Sequence, residues 1–334
     1  MSSQNHLTKE QKLNSKLFEL SVEQVPIRSG FGEGLVLAAD EDRNIVGLCA
    51  DLVESTKMLA FAEKYPERFI ELGVAEQNLA GVASGLAAMG KIPFITSYAM
   101  FSPGRNWEQI RTTITYNNRP VKIVGSHAGV SVGPDGGTHQ ALEDIAIMRV
   151  LPRMMVVVPC DALEANRATR AIAKTNDPTY LRLAREKTPI ITTNDSLFKL
   201  GQANMLWEDE KPAVVIIACG PLVYNALQAA RKLLPEGVGV TVINNHTIKP
   251  LDNKTILSEV KRTGAVVTVE EHQQAGGLGS AVAELLATNY PVPMEFVGVK
   301  DEYGQSGTPA ELIEKYELGT EAIIEAVQKV LTRK

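Results

Sequence analysis

A single carboxylate, Glu76, stands in GVAEQNLAGVASGLAAMG, a helical pattern that is small or apolar on nearly every side. A carboxyl group buried in such surroundings has a raised pKa and can exchange a proton near neutrality. The same glutamate turned to solvent needs no chemistry at all. Further along, the loop GSHAGVSVGPDGGTHQ surrounds His127, Asp135 and His139 with glycine and hydroxyl residues. Glycine lets backbone come close to a ligand, and the polar side chains offer donors and acceptors to a polyol or a phosphate. Tyr98 and Phe101, in the run YAMF, leave a strand end together and can stack on a flat heteroaromatic ring, although isolated aromatics more often fill a core.

Rival readings of the same residues are weaker. Two histidines and an aspartate without the helical HExxH spacing make a poor zinc site. GLAAMGKI begins like a phosphate-binding loop, but Ile92 stands where a hydroxyl residue belongs, and the motif follows a helix and precedes a strand. The glycine clusters GFGEG (30–34) and GGLG (276–279) are expected at helix starts, where they serve close packing. His246 and His272 end strands of the second half and are assigned structural or interface roles, and His6 falls in an N-terminal tail.

The elements that must position these residues come from short apolar runs crowded with β-branched residues, the pattern of buried parallel strands. They are 44–50, 92–98, 121–127, 154–160, 213–220, 239–245 and 265–272. Helical patterns lie between them at 76–89, 107–116, 141–149, 161–174, 221–233 and 278–288. This alternation predicts an α/β fold with two domains of mostly parallel sheets flanked by helices. A polar, proline-containing stretch marks the boundary. The expected divisions are a flexible tail over 1–19, a first domain over 20–186, a linker over 187–211 and a second domain over 212–334.

Composition narrows the class. The chain has 334 residues, 44% hydrophobic and 22% charged, with a net charge of −5. An acidic balance argues against nucleic acid as the partner, and no apolar run has membrane-spanning length. The N-terminus lacks the apolar core of a signal peptide. Cys49, Cys160 and Cys219 are widely separated and odd in number, as expected of reduced, buried thiols in a cytoplasmic protein.

GVAEQN, the aromatic strand end, SHAGVSVGPDGGTHQ followed by ALED, and YLRLAR occur together in an order and spacing that resemble the transketolase family. The resemblance covers roughly residues 20 to 330 and implies a pyrimidine-binding domain followed by the family's C-terminal domain. It further implies thiamine diphosphate as cofactor and transfer of a two-carbon ketol unit from a ketose phosphate to an aldose phosphate. Carried over residue by residue, Glu76 is the carboxylate that bonds the aminopyrimidine N1′ and activates the cofactor, and Tyr98 and Phe101 pack on its ring. His139 contacts the hydroxyl beside the reacting carbonyl and helps move protons, and Asp135 hydrogen-bonds a donor hydroxyl. Arg28, Ser55, His127 and Arg185 hold the sugar phosphate. The family's C-terminal domain is expected to build the dimer rather than to act in catalysis.

The family's diphosphate and magnesium signature, GDG with an asparagine downstream, does not occur in the sequence. The resemblance therefore implies that a separate N-terminal subunit holds the diphosphate and Mg²⁺, in an α2β2 heterotetramer. The chain departs from the pattern at Pro103-Gly104, after the aromatic pair, and at Pro134, before the loop aspartate. Three other readings stay in view: the β subunit of a 2-oxoacid dehydrogenase, a deoxyxylulose-phosphate synthase fragment, and a non-catalytic regulatory subunit. GTHQ with two histidines speaks against the first and LRLAR against the second. Joint presence of Glu76, His127, Asp135 and His139 speaks against the third.

Overall fold

The computed structural model describes residues 6–334. Two parallel-rich sheets, each packed between helices, lie side by side. The first half runs β1 (Gln24–Pro26), α1 (Ile27–Glu41), β2 (Ile45–Cys49), α2 (Leu59–Lys64), β3 (Phe69–Glu71), α3 (Glu76–Ala88) and β4 (Ile92–Tyr98). It continues with α4 (Trp107–Gln109), which widens into a π-type turn over Ile110–Thr115, then β5 (Lys122–Ser126) and α5 (Asp144–Arg149). β6 (Met155–Val157), α6 (Ala162–Ala173), β7 (Thr179–Arg182) and β8 (Lys187–Pro189) complete it. The second half holds β9 (Asn204–Glu208), β10 (Val214–Ala218), α7 (Val223–Leu233), β11 (Val240–Asn244), β12 (Thr247–Lys249) and α8 (Asn253–Thr263). It ends with β13 (Val266–Gln273), α9 (Leu278–Asn289), β14 (Met294–Val299), α10 (Pro309–Lys315) and α11 (Thr320–Leu331).

The first sheet has seven strands in the order β12-β6-β7-β5-β4-β2-β3, parallel except for β12. The second has five in the order β14-β13-β10-β11-β9, parallel except for β9. β2, β5, β10 and β11 are buried along their whole length, which is why they read as continuous apolar runs. No helix among the described residues is long and apolar enough to cross a membrane.

Three local features differ from the pattern read in the sequence. GFGEG does not start a helix but lies inside α1, whose backbone presses on α6. A Cβ at Gly30 would fall 1.8 Å from the carbonyl oxygen of Ala162, so only glycine allows this crossing. The stretch 187–211 is not bare connection: β8 pairs antiparallel with β1, and β9 forms an edge of the second sheet. Residues 6–19 do not trail into solvent. Leu17 is fully buried in the second domain's core, and His6 pairs with Asp209 at 2.6 Å while stacking on Trp207.

Candidate active site

Five adjacent strands of the first sheet, β7-β5-β4-β2-β3, end on one edge. The carboxyl ends of parallel strands are where open α/β sheets place ligands. Each strand end there delivers one or more of the singled-out residues: Arg185 after β7, His127 after β5, Tyr98 at the end of β4, Ser55 after β2, and Glu76 after β3. Arg28 enters from the first turn of α1.

Glu76 is the first residue of α3 and only 2% exposed. Its Oε2 accepts from Arg105 Nη1 at 3.0 Å, and its backbone carbonyl accepts from Asn106 Nδ2 at 2.9 Å. The Asn106 amide oxygen is buried and has no hydrogen-bond partner among the described residues. Arg105 also lies over the Phe101 ring, 5.1 Å from its centroid, so one guanidinium links the carboxylate to the aromatic ledge.

That ledge is a set of four rings. Tyr98 and Phe101 stack with centroids 6.0 Å apart, and His127 stacks on Tyr98 at 3.9 Å. His139 meets Phe101 edge-on at 5.2 Å and Tyr98 at 6.2 Å. His127 is 2% exposed and sits at φ +57°, with Nδ1 2.9 Å from Ser126 Oγ. Burial lowers its pKa to about 3, and the charges of Arg28 and Arg185 lower it in the same sense. His127 is therefore a neutral hydrogen-bonding ring at physiological pH.

Arg28 and Arg185 stand together behind it. Arg28 donates from Nε to the carbonyl of Arg185 at 3.1 Å and from Nη1 to the carbonyl of Ser55 at 2.5 Å. Burial, and then the Arg185 charge, pull Arg28 below the ordinary arginine value. Arg185 donates to the carbonyl of Val132 at 2.6 Å and lies 3.5 Å from Asp135 Oδ1. The two guanidinium groups stand close together, and Arg185 also has the carboxylates of Asp135 and Glu186 beside it, at 3.5 and 3.4 Å. Ser55 enters this cluster through its backbone carbonyl, and the exposed Asp135 enters it through Arg185.

The nine singled-out residues thus fall in two sets at one sheet edge: Glu76 joined through Arg105 to the rings, and Arg28, Arg185, Ser55 and Asp135 together. Sequence reasoning passes over Arg105, Asn106 and Arg182. Arg182 is 3% exposed, and its Nε donates to Asp144 at 2.7 Å. Pro103-Gly104 is a signal for the two residues that follow it, because the chain turns there toward Glu76. Arg182 lies inside YLRLAR but points away from the ledge, into the contact between domains. Among the described residues no group of three or more His, Cys, Asp or Glu side chains gathers in a form that could hold a metal.

Compared with known proteins, residues 23–190 match the family model "Transketolase, pyrimidine binding domain". The chain belongs to the transketolase family. Residues 201–323 match "Transketolase, C-terminal domain", so the chain corresponds to the second half of that family's architecture. It is 41% identical over 317 residues to the 6-deoxy-6-sulfo-D-fructose transketolase subunit SqwH of Clostridium sp. (strain MSTE9), covering 95% of this chain and 98% of that one. It is 37% identical over 300 residues to an apulose-4-phosphate transketolase subunit of Phocaeicola vulgatus, covering 90% of this chain and 95% of that one. A solved structure described as a split gene transketolase, inactive beta4 tetramer, superposes with a TM-score of 0.86 at 44% identity, covering 92% of this chain and 99% of that one. The transketolase fold accounts for the shape of the ledge: the pyrimidine-binding domain supplies Glu76 and every ring of it.

Proposed function

We propose that this chain is the C-terminal subunit of a split, thiamine-diphosphate-dependent transketolase that moves a two-carbon ketol unit from a ketose to an aldose. The observation that carries the reading is the joining of a buried carboxylate, an aromatic ledge and a pair of arginines on one sheet edge. Their fit to the cofactor's aminopyrimidine is chemical. Glu76 would hold the ring nitrogen N1′, Phe101 and Tyr98 would cover the ring face, and the unpartnered Asn106 oxygen lies close by as a further acceptor. When bound, thiamine diphosphate supplies the carbon nucleophile that no protein side chain offers.

The chain's own residues then divide the work. Arg28 and Arg185 hold the anionic end of the sugar by bidentate donors, whether phosphate or sulfonate, the groups that the two relatives' names imply. His127 adds a neutral imidazole hydrogen bond without adding charge. His139, edge-on to Tyr98 and Phe101, and Asp135, beside Arg185, would meet the hydroxyls near the reacting carbonyl, and His139 can relay a proton there. Diphosphate and Mg²⁺ would be held by a separate N-terminal subunit, in an α2β2 assembly. The three buried, unpaired cysteines support a cytoplasmic setting.

Mass photometry on the co-expressed pair tests the assembly, combined with titration of thiamine diphosphate and Mg²⁺ into the pair and into this chain. The reading expects a heterotetramer and saturable cofactor binding only in the pair. Full cofactor binding and ketol transfer by this chain alone would contradict it.

A further inference from the structure

We propose that Gln140 and Glu271 are positioning residues of this site, through which the second domain builds the loop that carries His127, Asp135 and His139. The inference rests on the reading of that loop as the sugar-binding element. The loop's backbone is not self-supporting. His127, Gly129, Gly133 and Gly136 all have positive φ, and the tight turn over Val130–Asp135 is broken at Gly133 (φ 82°, ψ −118°). Glycine adopts these conformations freely, so it is at His127 that the backbone persists only where the surroundings over-determine it.

The surroundings are largely the second domain. Glu271, on β13 and 1% exposed, accepts the Ser131 amide on Oε1 at 2.6 Å. A Cβ at Gly129 would lie 2.3 Å from the same carboxyl carbon, so the loop backbone passes directly over Glu271. Gln140, 2% exposed, turns its amide nitrogen to three carbonyls: Val130 at 3.1 Å, Gly133 at 3.2 Å and Gln305 at 3.0 Å. Two of these are in the loop and the third is in the second domain. Gly137 and Gly304 complete the contact. A Cβ on the first would run into the Gly304 carbonyl, and a Cβ on the second into the Gln140 side chain. Arg182 closes the arrangement by donating to the carbonyls of Ala141 and Glu271 at 3.2 and 2.8 Å.

A leucine would bury at either position with less desolvation than a carboxyl or an amide. What the polar groups contribute is the specific seating of Ser131, Val130 and Gly133, hence of the side chains between and beyond them. Both side chains bond backbone, that of the loop and, for Gln140, also the Gln305 carbonyl, so they act by position.

The test uses the reconstituted two-chain enzyme with Glu271→Leu, Gln140→Leu and the conservative Glu271→Gln, whose amide oxygen still accepts the Ser131 N–H. Each leucine variant is expected to lower kcat/KM for the donor sugar phosphate by about tenfold to a hundredfold, chiefly through KM. Cofactor affinity should stay within about twofold, because Glu76 and Phe101 stand on other elements. Hydrogen exchange measured by mass spectrometry should rise in peptides spanning 128–140 and not in those of β2 or β4, while Glu271→Gln keeps kcat/KM within about threefold. Leucine variants with the parent's kcat/KM, an equal loss in Glu271→Gln, or a rise in exchange throughout the chain would overturn the proposal. If the parent pair shows no ketol transfer, it is the underlying reading of function that fails, and loop exchange still decides whether the second domain holds the loop.

Discussion

His127 stands beside two arginines, and a third cation there would be opposed by both burial and repulsion. Its folded-state pKa of about 3 lies below the ordinary histidine value near 6.5, so the unfolded chain takes up the proton first. The contribution is complete above pH of about 6.5 and is lost as pH falls toward 3. The ring protons of His127 should therefore show no titration by NMR between pH 8 and 5, and His127→Gln should flatten the fall in urea midpoint over that range. Glu76 behaves differently, because its Arg105 partner is half exposed and an ion pair with such a partner adds little stability. Glu76→Gln should leave the thermal midpoint nearly unchanged yet lower turnover by about a hundredfold to ten-thousandfold, read in the assay of the assembled enzyme. The motifs at 76–78, 98–101 and 125–140 can be picked out in the sequence because their residue types are unusual for their surroundings. Arg105 cannot, and neither can the part Gln140 plays within its motif, because each acquires its meaning from a partner that only the fold brings near: Glu76 for one, and the carbonyl of Gln305 for the other.

At the scale of elements, strands are easier to foresee than α1. Buried parallel strands such as β10 announce themselves by uninterrupted β-branched residues. GFGEG lies inside a helix although glycine weakens helices locally, because Gly30 and Gly34 press on α6 and Gly32 on the Lys57 backbone. β9 escapes notice inside a polar stretch because one antiparallel edge strand carries a weak pattern. The glycines of α1 and α3 should respond oppositely to alanine. Gly30→Ala forces a Cβ into the Ala162 carbonyl and should cost about 1–3 kcal/mol or more in urea unfolding. At Gly81 and Gly85 a Cβ meets nothing, so alanine should stabilise the separately purified chain by about 0.5–1 kcal/mol.

At the scale of the molecule, the two sheets are interlocked rather than strung together. β12 leaves the second half of the chain to pair with β6 in the first sheet, and Glu271 reaches from β13 to the site loop. The alternation of strands and helices foretells two α/β layers, but it carries no sign of this exchange, which depends on a three-residue strand. A site that presents a carboxylate and an aromatic ledge on an open sheet edge is half of a cofactor cleft on the proposed account, and its activity belongs to an assembly. The most direct test is a coupled ketol-transfer assay with xylulose 5-phosphate and ribose 5-phosphate, thiamine diphosphate and Mg²⁺. It should be run on this chain, on its N-terminal partner, on the pair, and on the pair carrying Glu76→Gln, with sulfonated and branched ketoses as further donors. The account predicts turnover only in the pair and its loss in the Glu76→Gln pair. Turnover by this chain alone, or a Glu76→Gln pair as active as the parent, would contradict it.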